Sequence, residues 1–301
     1  MSEFIAALPM YDWPEVRAET DALWARIRDH LRGEGIAAPD RLVRRNADMP
    51  QVPGGIRDEA GRQIAPDPAT LPPQELDLHT LWRHPRLLFA QTCWGPMELG
   101  LAGHVRVVVQ PDYSDFDGGK GEFYSSAILM RREEPSSRPA MDASADRGGG
   151  GGTGGTQPSP RPAPHAAPAD PSRGGEGDMA PPADGSAAIP LDRMRGLRLA
   201  YNNHDSMSGI IGLTRDLERQ GESLDIFAAR IETGSHRASA RALAEGRADV
   251  CAIDCRTWQL TRRFEPAAAQ LRVVGWTARR KGLPYIAARA APAYELPARL
   301  L

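Results

Sequence analysis

Short apolar runs alternate with segments of helical spacing along most of the chain. The longest helical pattern covers residues 13–35, and its apolar positions are Val16, Leu23, Trp24, Ile27 and Leu31. Shorter patterns predict helices over residues 78–85, 94–103, 206–220, 235–247 and 257–264. Apolar runs predict strands over residues 4–11, 40–45, 86–92, 105–113, 124–132, 197–203, 225–231, 249–255, 271–278 and 283–290. Strands that alternate with helices indicate α/β architecture with mostly parallel sheets and right-handed crossovers.

Two stretches in the second half, residues 197–221 and 226–255, share one design. Each is an apolar strand that breaks into small polar residues and then begins a helix, with Ser206 and Ser208 at the first break and Ser235 and His236 at the second. A helix N-terminus has unpaired N–H groups and a partial positive charge, so it suits an anion. The chain has neither a phosphate-loop sequence nor a dinucleotide GxGxxG, which favours a small anion over a nucleotide.

These polar residues also have structural explanations. Serine is favoured at any helix N-terminus, so Ser206 and Ser208 are equally expected as helix caps. His236 can cap its own helix, and Asp254 can be a salt-bridge partner. Tyr11 can be a core aromatic residue at the edge of a lobe.

Residues 133–190 differ in composition from the rest of the chain. These 58 residues contain 11 Gly and 11 Pro, and Ile189 is their only branched aliphatic or aromatic residue. Such a segment buries too little apolar surface to offset its ordering entropy. We therefore predict a disordered Gly/Pro-rich insertion within the second lobe and exclude it from the fold.

Composition and charge narrow the function classes. With 41% hydrophobic residues, 25% charged residues and a net charge of −2, the chain is not expected to bind nucleic acid or an acidic membrane. Three cysteines without CxxC spacing indicate neither a disulfide framework nor a zinc site, and no metal or cofactor is predicted. The N-terminus lacks the basic region and long apolar core of a signal peptide, so the sequence as written predicts a cytoplasmic location.

The two halves repeat one order of elements, which predicts two similar lobes. The strands at residues 4–11, 86–92 and 283–290 correspond to those at 197–203, 249–255 and 124–132. We expect lobe 1 to comprise residues 1–122 and 280–301 and lobe 2 to comprise residues 123–279. Two crossings between the lobes would place a ligand cleft between them, at the carboxyl ends of the strands.

Two motifs, DSMSG at residues 205–209 and GSHRAS…GRADV from residue 234 to 250, resemble the phosphate/phosphonate-type substrate-binding proteins of ABC transporters. FIAALPMYDW, LLFAQTCWGPMELGLAG and YSSAILMRR fit the same family, so the resemblance covers nearly the whole chain except the insertion. It implies a type II periplasmic-binding-protein fold that captures a small oxyanion such as phosphate, phosphonate or phosphite. It also implies an ABC permease as partner, no catalytic step, and the periplasmic or lipid-anchored location usual in the family.

The resemblance assigns residues to the ligand. Ser206, Ser208, Ser235 and His236 would hold the anion through side chains and backbone N–H groups, and Asp254 would border the cleft beside the hinge. Tyr11 and Thr92 would close over it. The expected ligand-binding set is completed by Ser125, Asn203 and Met207.

Met207 stands where the family usually has a hydroxyl residue. Loss of one charge-assisted hydrogen bond would weaken phosphonate binding by roughly 1.5–3 kcal/mol or change the ligand. Two alternatives remain open from the sequence: a cytosolic enzyme on the same fold, and a cytosolic ligand sensor that acts through a partner.

Overall fold

The computed structural model describes residues 4–132 and 177–301. The elements before residue 133 are, in chain order, β1 (Ile5–Ala7), α1 (Arg17–Gly33), β2 (Ile56–Arg57), β3 (Gln63–Ala65), α2 (Leu78–Arg83), β4 (Leu87–Gln91), α3 (Trp94–Glu98), β5 (Val105–Val109), β6 (Gly119–Lys120), β7 (Phe123–Tyr124) and β8 (Ser126–Arg131). The predicted first helix is confirmed, with a 3-10 turn at Pro14–Val16 before it. The region 46–75, left without elements above, carries the short β2–β3 hairpin.

The elements after residue 176 are α4 (Leu191–Met194), β9 (Arg198–Tyr201), α5 (Gly212–Arg219), β10 (Ala229–Glu232), α6 (His236–Ala244), β11 (Val250–Asp254), α7 (Cys255–Phe264), β12 (Leu271–Trp276), β13 (Arg280–Lys281) and β14 (Tyr285–Ala288). A π-helical turn at Met207–Ile211 precedes α5. None of the helices in the described ranges is both long and apolar enough to cross a bilayer.

Two sheets with the same plan confirm the predicted two-lobed α/β fold. The first lobe has the strand order β1-β4-β14-β5 and the second has β10-β9-β11-β8-β12. β1 is parallel to β4, and β9 is parallel to both β10 and β11. In each sheet the strand that arrives after the chain has crossed from the other lobe, β14 or β8, runs antiparallel to its neighbours.

Each sheet is packed on both faces. β4 and β11 are buried along their whole length, as expected for central strands covered by helices on two sides. The predicted core position of Cys251 and Cys255 is confirmed, since both are buried free thiols. A three-stranded sheet, β13-β7-β6, lies where the chain passes between the lobes. The lobe boundaries expected from the sequence adjoin β7 and β13 and stay a prediction.

The predicted strand at residues 40–45 is wrong. This segment lies beside β1, in a position equivalent to that of β10 beside β9 in the other lobe. Its backbone contact with β1 is the hydrogen bond from Val43 N to Ala6 O, at 2.7 Å. The N–H groups of Arg44 and Arg45 donate instead to the carboxylate of Asp48, at 3.1 and 3.0 Å. A ladder of backbone bonds therefore does not form.

Residues 177–190 belong to the fold, so the predicted insertion extended too far at its C-terminal side. Ala188 and Trp276 exchange two backbone hydrogen bonds, and the indole of Trp276 donates to the carbonyl of Met179 at 2.8 Å. The segment thus covers the edge strand β12, which would otherwise present unpaired backbone groups. The rest of the predicted insertion, residues 133–176, lies outside the described residues.

Candidate functional site: a cleft between the lobes

The carboxyl ends of β9 and β11 face the first lobe across a narrow cleft. The lobes are in close contact where Gly95 of α3 meets Asp205, the residue before the first serine turn. A Cβ placed on Gly95 would lie 1.7 Å from the carbonyl oxygen of Asp205. The described structure is therefore a closed arrangement of the two lobes.

The first turn of the second lobe places two hydroxyls in the cleft wall. Ser206 is buried, and its Oγ accepts a hydrogen bond from the N–H of Gly209 at 3.0 Å. The Oγ atom of Ser208, also buried, lies 3.4 Å away. The chain then enters the π-helical turn. This wider helical geometry is rare in proteins, and where it occurs it is frequently at a functional site. The capping interpretation of Ser206 is confirmed by its hydrogen bond from Gly209, and its binding role stays a prediction.

The second turn brings a histidine and a carboxylate to the same place. His236 Nε2 lies 2.8 Å from Ser208 Oγ and 3.7 Å from an oxygen of Asp254. Burial lowers the pKa of His236 below its ordinary value of 6.5, although Asp254 acts in the opposite direction. The imidazole is therefore neutral at pH 7 and offers one N–H donor and one acceptor.

Ser208, His236 and Asp254 are together but are not ordered as a hydrolytic triad. In a triad the carboxylate holds one imidazole nitrogen while the serine uses the other. Here Asp254 approaches the same Nε2 that faces Ser208. Nδ1 of His236 is buried and has no hydrogen-bond partner among the described residues. The geometry supports polar contact with a ligand rather than activation of a serine nucleophile.

The first lobe contributes tyrosines to the opposite wall. The hydroxyl of Tyr11 donates to Asp254 at 3.1 Å and lies 3.2 Å from that of Tyr113. Burial, followed by the charge of Asp254, raises the pKa of Tyr11 well above its ordinary value. Burial also raises the pKa values of Tyr113 and Tyr124, and Ser208 hydrogen-bonds to Tyr124. All three phenols keep their protons at neutral pH and can donate hydrogen bonds.

The β4–α3 turn forms the rest of the first-lobe wall. The hydroxyl of Thr92 is fully buried and has no hydrogen-bond partner among the described residues. Its neighbour Cys93 accepts a hydrogen bond through Sγ from the N–H of Met207 at 3.3 Å. A buried polar group without a partner requires an explanation, and a bound ligand is one. The side chain of Met207 is buried and its sulfur lies 3.9 Å from Arg215, while its backbone N–H is engaged by Cys93.

Three of the expected residues lie apart from this cluster. Ser235 is exposed, and its Oγ caps α6 by accepting from Ala238 N at 3.1 Å. Asn203 is half-buried, and its carbonyl accepts from Ser206 N at 3.1 Å. Ser125 is buried in the crossing between β7 and β8. Ser206, Ser208, His236, Asp254 and Tyr11 are the predicted residues that the structure brings into one hydrogen-bonded cluster.

Tyr113 and Tyr124 belong to this cleft wall but were not predicted from the sequence. Tyr113 follows β5, and Tyr124 ends β7 in the crossing sheet, so both stand where a chain leaves one lobe. An aromatic residue at each predicted crossing was the available signal. The described residues contain no group of three or more histidine, cysteine or acidic side chains suited to a metal ion.

Ion pairs join the lobes around the cleft. Acidic residues of the first lobe and its crossing segment meet arginines of the second lobe in four pairs: Glu15 with Arg237, Glu19 with Arg263, Glu98 with Arg215, and Asp117 with Arg262. His79 also lies 3.3 Å from Asp205. These contacts, called here the cross-lobe ion pairs, join residues of different lobes in the closed arrangement.

Comparison with known proteins identifies one matching family. The family described as "ABC transporter, phosphonate, periplasmic substrate-binding protein" matches residues 163–300. No curated protein matches the chain.

Three solved structures show the same fold. PhnD1 of Prochlorococcus marinus, in complex with methylphosphonate, is 13% identical with a TM-score of 0.51, over 95% of this chain and 76% of that one. XAC2383 of Xanthomonas citri, bound to chloride ion, is 14% identical with a TM-score of 0.51, over 97% and 79%. A binding protein component of an ABC phosphonate transporter from Pseudomonas aeruginosa is 12% identical with a TM-score of 0.51, over 97% and 70%.

The resemblance carried by the two serine-containing motifs is confirmed: residues 163–300 match the family of periplasmic substrate-binding proteins of phosphonate ABC transporters, and the chain has the type II periplasmic-binding-protein fold of the three solved structures.

Proposed function

We propose that this protein captures a small phosphorus oxyanion, phosphate or a phosphonate, between its lobes and delivers it to an ABC permease. The observation that carries the proposal is the buried cluster of Ser206, Ser208 and His236 at the beginnings of two helices. Hydroxyls, imidazole and helix N-termini are all suited to oxyanions. The methylphosphonate complex of PhnD1 adds support from a protein of the same fold.

Binding begins in an open state, in which an oxyanion reaches the serine turns of the second lobe. The ligand replaces the hydrogen bond between Ser208 and His236, and each of these groups then turns a donor toward it. Closure brings Tyr11 and the unpartnered hydroxyl of Thr92 over the anion. Removing the site from water strengthens each of these contacts. No bond in the ligand is broken in this sequence.

Asp254 restricts which oxyanion fits. An ionised carboxylate only accepts hydrogen bonds, and it repels a fully ionised ligand nearby. A monoprotonated phosphate or phosphonate can turn its P–OH toward Asp254, whereas a sulfonate has no proton to offer at neutral pH. The proposed ligand class is therefore protonated phosphorus oxyanions rather than sulfur oxyanions.

Isothermal titration calorimetry tests this function. The purified protein is titrated at pH 7 with phosphate, phosphite, methylphosphonate and, as an isosteric control, methanesulfonate. Saturable heat with at least one phosphorus oxyanion and none with methanesulfonate is expected. Absence of heat with every phosphorus oxyanion at millimolar concentration would exclude the proposal.

A further inference from the structure

Arg256 reaches from the second lobe into a group of aromatic side chains of the first. It is the second residue of α7. Its guanidinium carbon lies 4.3 Å from the ring centre of Tyr11 and 5.7 Å from that of Phe116. Among the described residues, the side chain of Arg256 contacts these rings and the hydroxyl of Tyr285, and it forms no ion pair with a carboxylate. A cation–π contact therefore occupies the position where a carboxylate partner would be usual.

The positive charge of Arg256 is maintained by its surroundings. Burial lowers the pKa of the guanidinium, but Tyr11, Tyr285, Tyr113 and Asp254 raise it above its ordinary value in total. Arginine is in any case protonated in proteins at all ordinary pH values. The first-lobe wall of the cleft thus contains a fixed positive charge supplied by the second lobe.

Tyr11 connects this charge to the ligand site. The ring of Tyr11 contacts Arg256, and the hydroxyl of Tyr11 donates a hydrogen bond to Asp254. Asp254 in turn lies 3.7 Å from His236, which contacts Ser208. A substituent that extends from an oxyanion at Ser208 toward Asp254 and Tyr11 therefore approaches the guanidinium. The charge of Asp254 acts on Arg256 as well, and it contributes to raising the pKa of the guanidinium.

We infer that Arg256 determines ligand specificity by disfavouring oxyanions that carry a cationic substituent, so that the site accepts phosphate and phosphonates with uncharged substituents. This inference rests on the proposed capture of phosphorus oxyanions. Two physical effects support it. Like charges a few ångströms apart in a poorly solvated site repel strongly, and the face of Tyr11 that would stabilise a ligand ammonium is already occupied. Exclusion by an opposing charge is a common means of specificity.

The test compares two ligands of equal size, propylphosphonate and 2-aminoethylphosphonate, which differ in a terminal methyl or ammonium group. Calorimetry at pH 7 gives the affinity of the wild-type protein for each. We expect propylphosphonate to bind at least about tenfold more tightly, since juxtaposed like charges are costly. In Arg256→Met, which keeps an unbranched side chain over Tyr11 without the charge, the preference decreases by about tenfold or more.

Two further variants serve as controls. Arg256→Lys retains a cation and keeps the wild-type preference. Arg106→Met removes a guanidinium that lies 5.1 Å from the Tyr294 ring, in the first lobe and outside the cleft cluster, and it also keeps the preference.

Equal wild-type affinities for the two ligands, or an unchanged preference in Arg256→Met, would overturn the inference while leaving oxyanion capture intact. If a variant does not fold, the ratio of the wild-type affinities for the two ligands still tests the inference. Absence of binding to phosphate, methylphosphonate and propylphosphonate alike would instead overturn the proposed function and the inference with it.

Discussion

The two lobes share a strand order but differ in how their strands end at the cleft. In the second lobe three strand ends lead into helices with side-chain caps: Ser206, Ser235 and Asp254 each accept a hydrogen bond from the backbone N–H three residues further along the chain. In the first lobe the corresponding turn at Cys93 has no side-chain cap. The first lobe instead contributes tyrosine hydroxyls and the unpartnered hydroxyl of Thr92 to the cleft.

Under the proposed function, this difference gives the two lobes separate tasks. The second lobe holds preorganised polar groups at helix N-termini, where they can receive an anion before closure. The first lobe supplies a mostly aromatic wall that excludes water after closure and adds a few donors. A duplicated scaffold can therefore carry one lobe that recognises the ligand and one that encloses it.

The largest effect is expected from blocking closure while leaving the second-lobe turns intact. In Gly95→Ala the new Cβ would lie 1.7 Å from Asp205 O, far inside van der Waals contact. Overpacking costs about 1–3 kcal/mol and occasionally more, so ligand affinity should decrease by about 3 kcal/mol or more. Calorimetry with methylphosphonate measures the loss.

Gly103→Ala is the matched control for this change. It lies in the same lobe, and a Cβ there meets nothing within 4 Å. Its affinity and unfolding midpoint should equal those of the wild type. Wild-type affinity in Gly95→Ala would show that closure at this contact does not accompany binding.

The next largest effect on ligand affinity is expected at Ser208, and Ser235 in the same lobe serves for comparison. Ser208→Ala removes a buried hydroxyl that contacts His236, and affinity should decrease by about 1.5–3 kcal/mol, the usual contribution of a hydrogen bond to a charged group. Ser235→Ala removes an exposed helix cap, which should reduce stability by about 1 kcal/mol without changing affinity. Calorimetry and urea unfolding of both variants give the comparison. A loss of affinity in Ser235→Ala larger than in Ser208→Ala would reverse these assignments.

The contrast between Ser208 and Ser235 also marks the limit of prediction from sequence. Apolar runs such as β4 and β11, and the polar breaks after strands, are local patterns, so the strand order and the first serine turn could be predicted. Whether a turn residue faces the cleft or solvent depends on one helical position, and Ser235 precedes α6 while His236 begins it.

Contacts between residues that are far apart in the sequence could not be predicted from local patterns either. Tyr113 and Tyr124 enter the cleft because the chain crosses between the lobes beside them, which no local pattern specifies. The segment 40–45 has the apolar residues of a strand, but the carboxylate of Asp48 takes the N–H groups that a ladder requires. Side-chain competition for backbone donors is not visible in hydrophobic periodicity.

A third prediction uses the titrating group of the second-lobe cluster. Burial lowers the pKa of His236 in the folded state, so between that value and 6.5 the unfolded state binds more protons. The stabilisation by neutral His236 is complete above pH 6.5 and is lost as pH falls, by about 1.4 kcal/mol per pH unit. Urea unfolding at pH 7.5 and 5.5 should show a smaller loss of stability in His236→Gln than in the wild type.

His84 is the necessary comparison for this measurement. Its pKa is also lowered by burial, but it lies in the first lobe and contacts Pro50 O. Because His84 titrates in both proteins, the difference between wild type and His236→Gln isolates His236. Identical pH dependence in the two proteins would show that His236 is not buried as a neutral group.

The smallest effect concerns the cross-lobe ion pairs. Glu15 belongs to the first lobe and pairs with Arg237 at 2.8 Å, while Glu222 pairs with Arg195 within the second lobe. The Glu15 and Glu222 side chains are similarly exposed, at 32% and 25%. Glu15→Gln should weaken ligand affinity by about 0.2–1 kcal/mol, the usual range for exposed pairs, because it removes a contact made only in the closed state. Glu222→Gln should leave affinity unchanged, because its partner is in the same lobe in both states.

A salt series tests whether the effect of Glu15 comes from its charge. Raising the salt concentration from about 0.05 to about 0.5 M brings the Debye length below about 10 Å. The difference in affinity between Glu15→Gln and the wild type should then disappear. A difference that persists at high salt would mean that Glu15 contributes through packing rather than charge, and that closure depends on the shape of the first-lobe wall more than on its acidic rim.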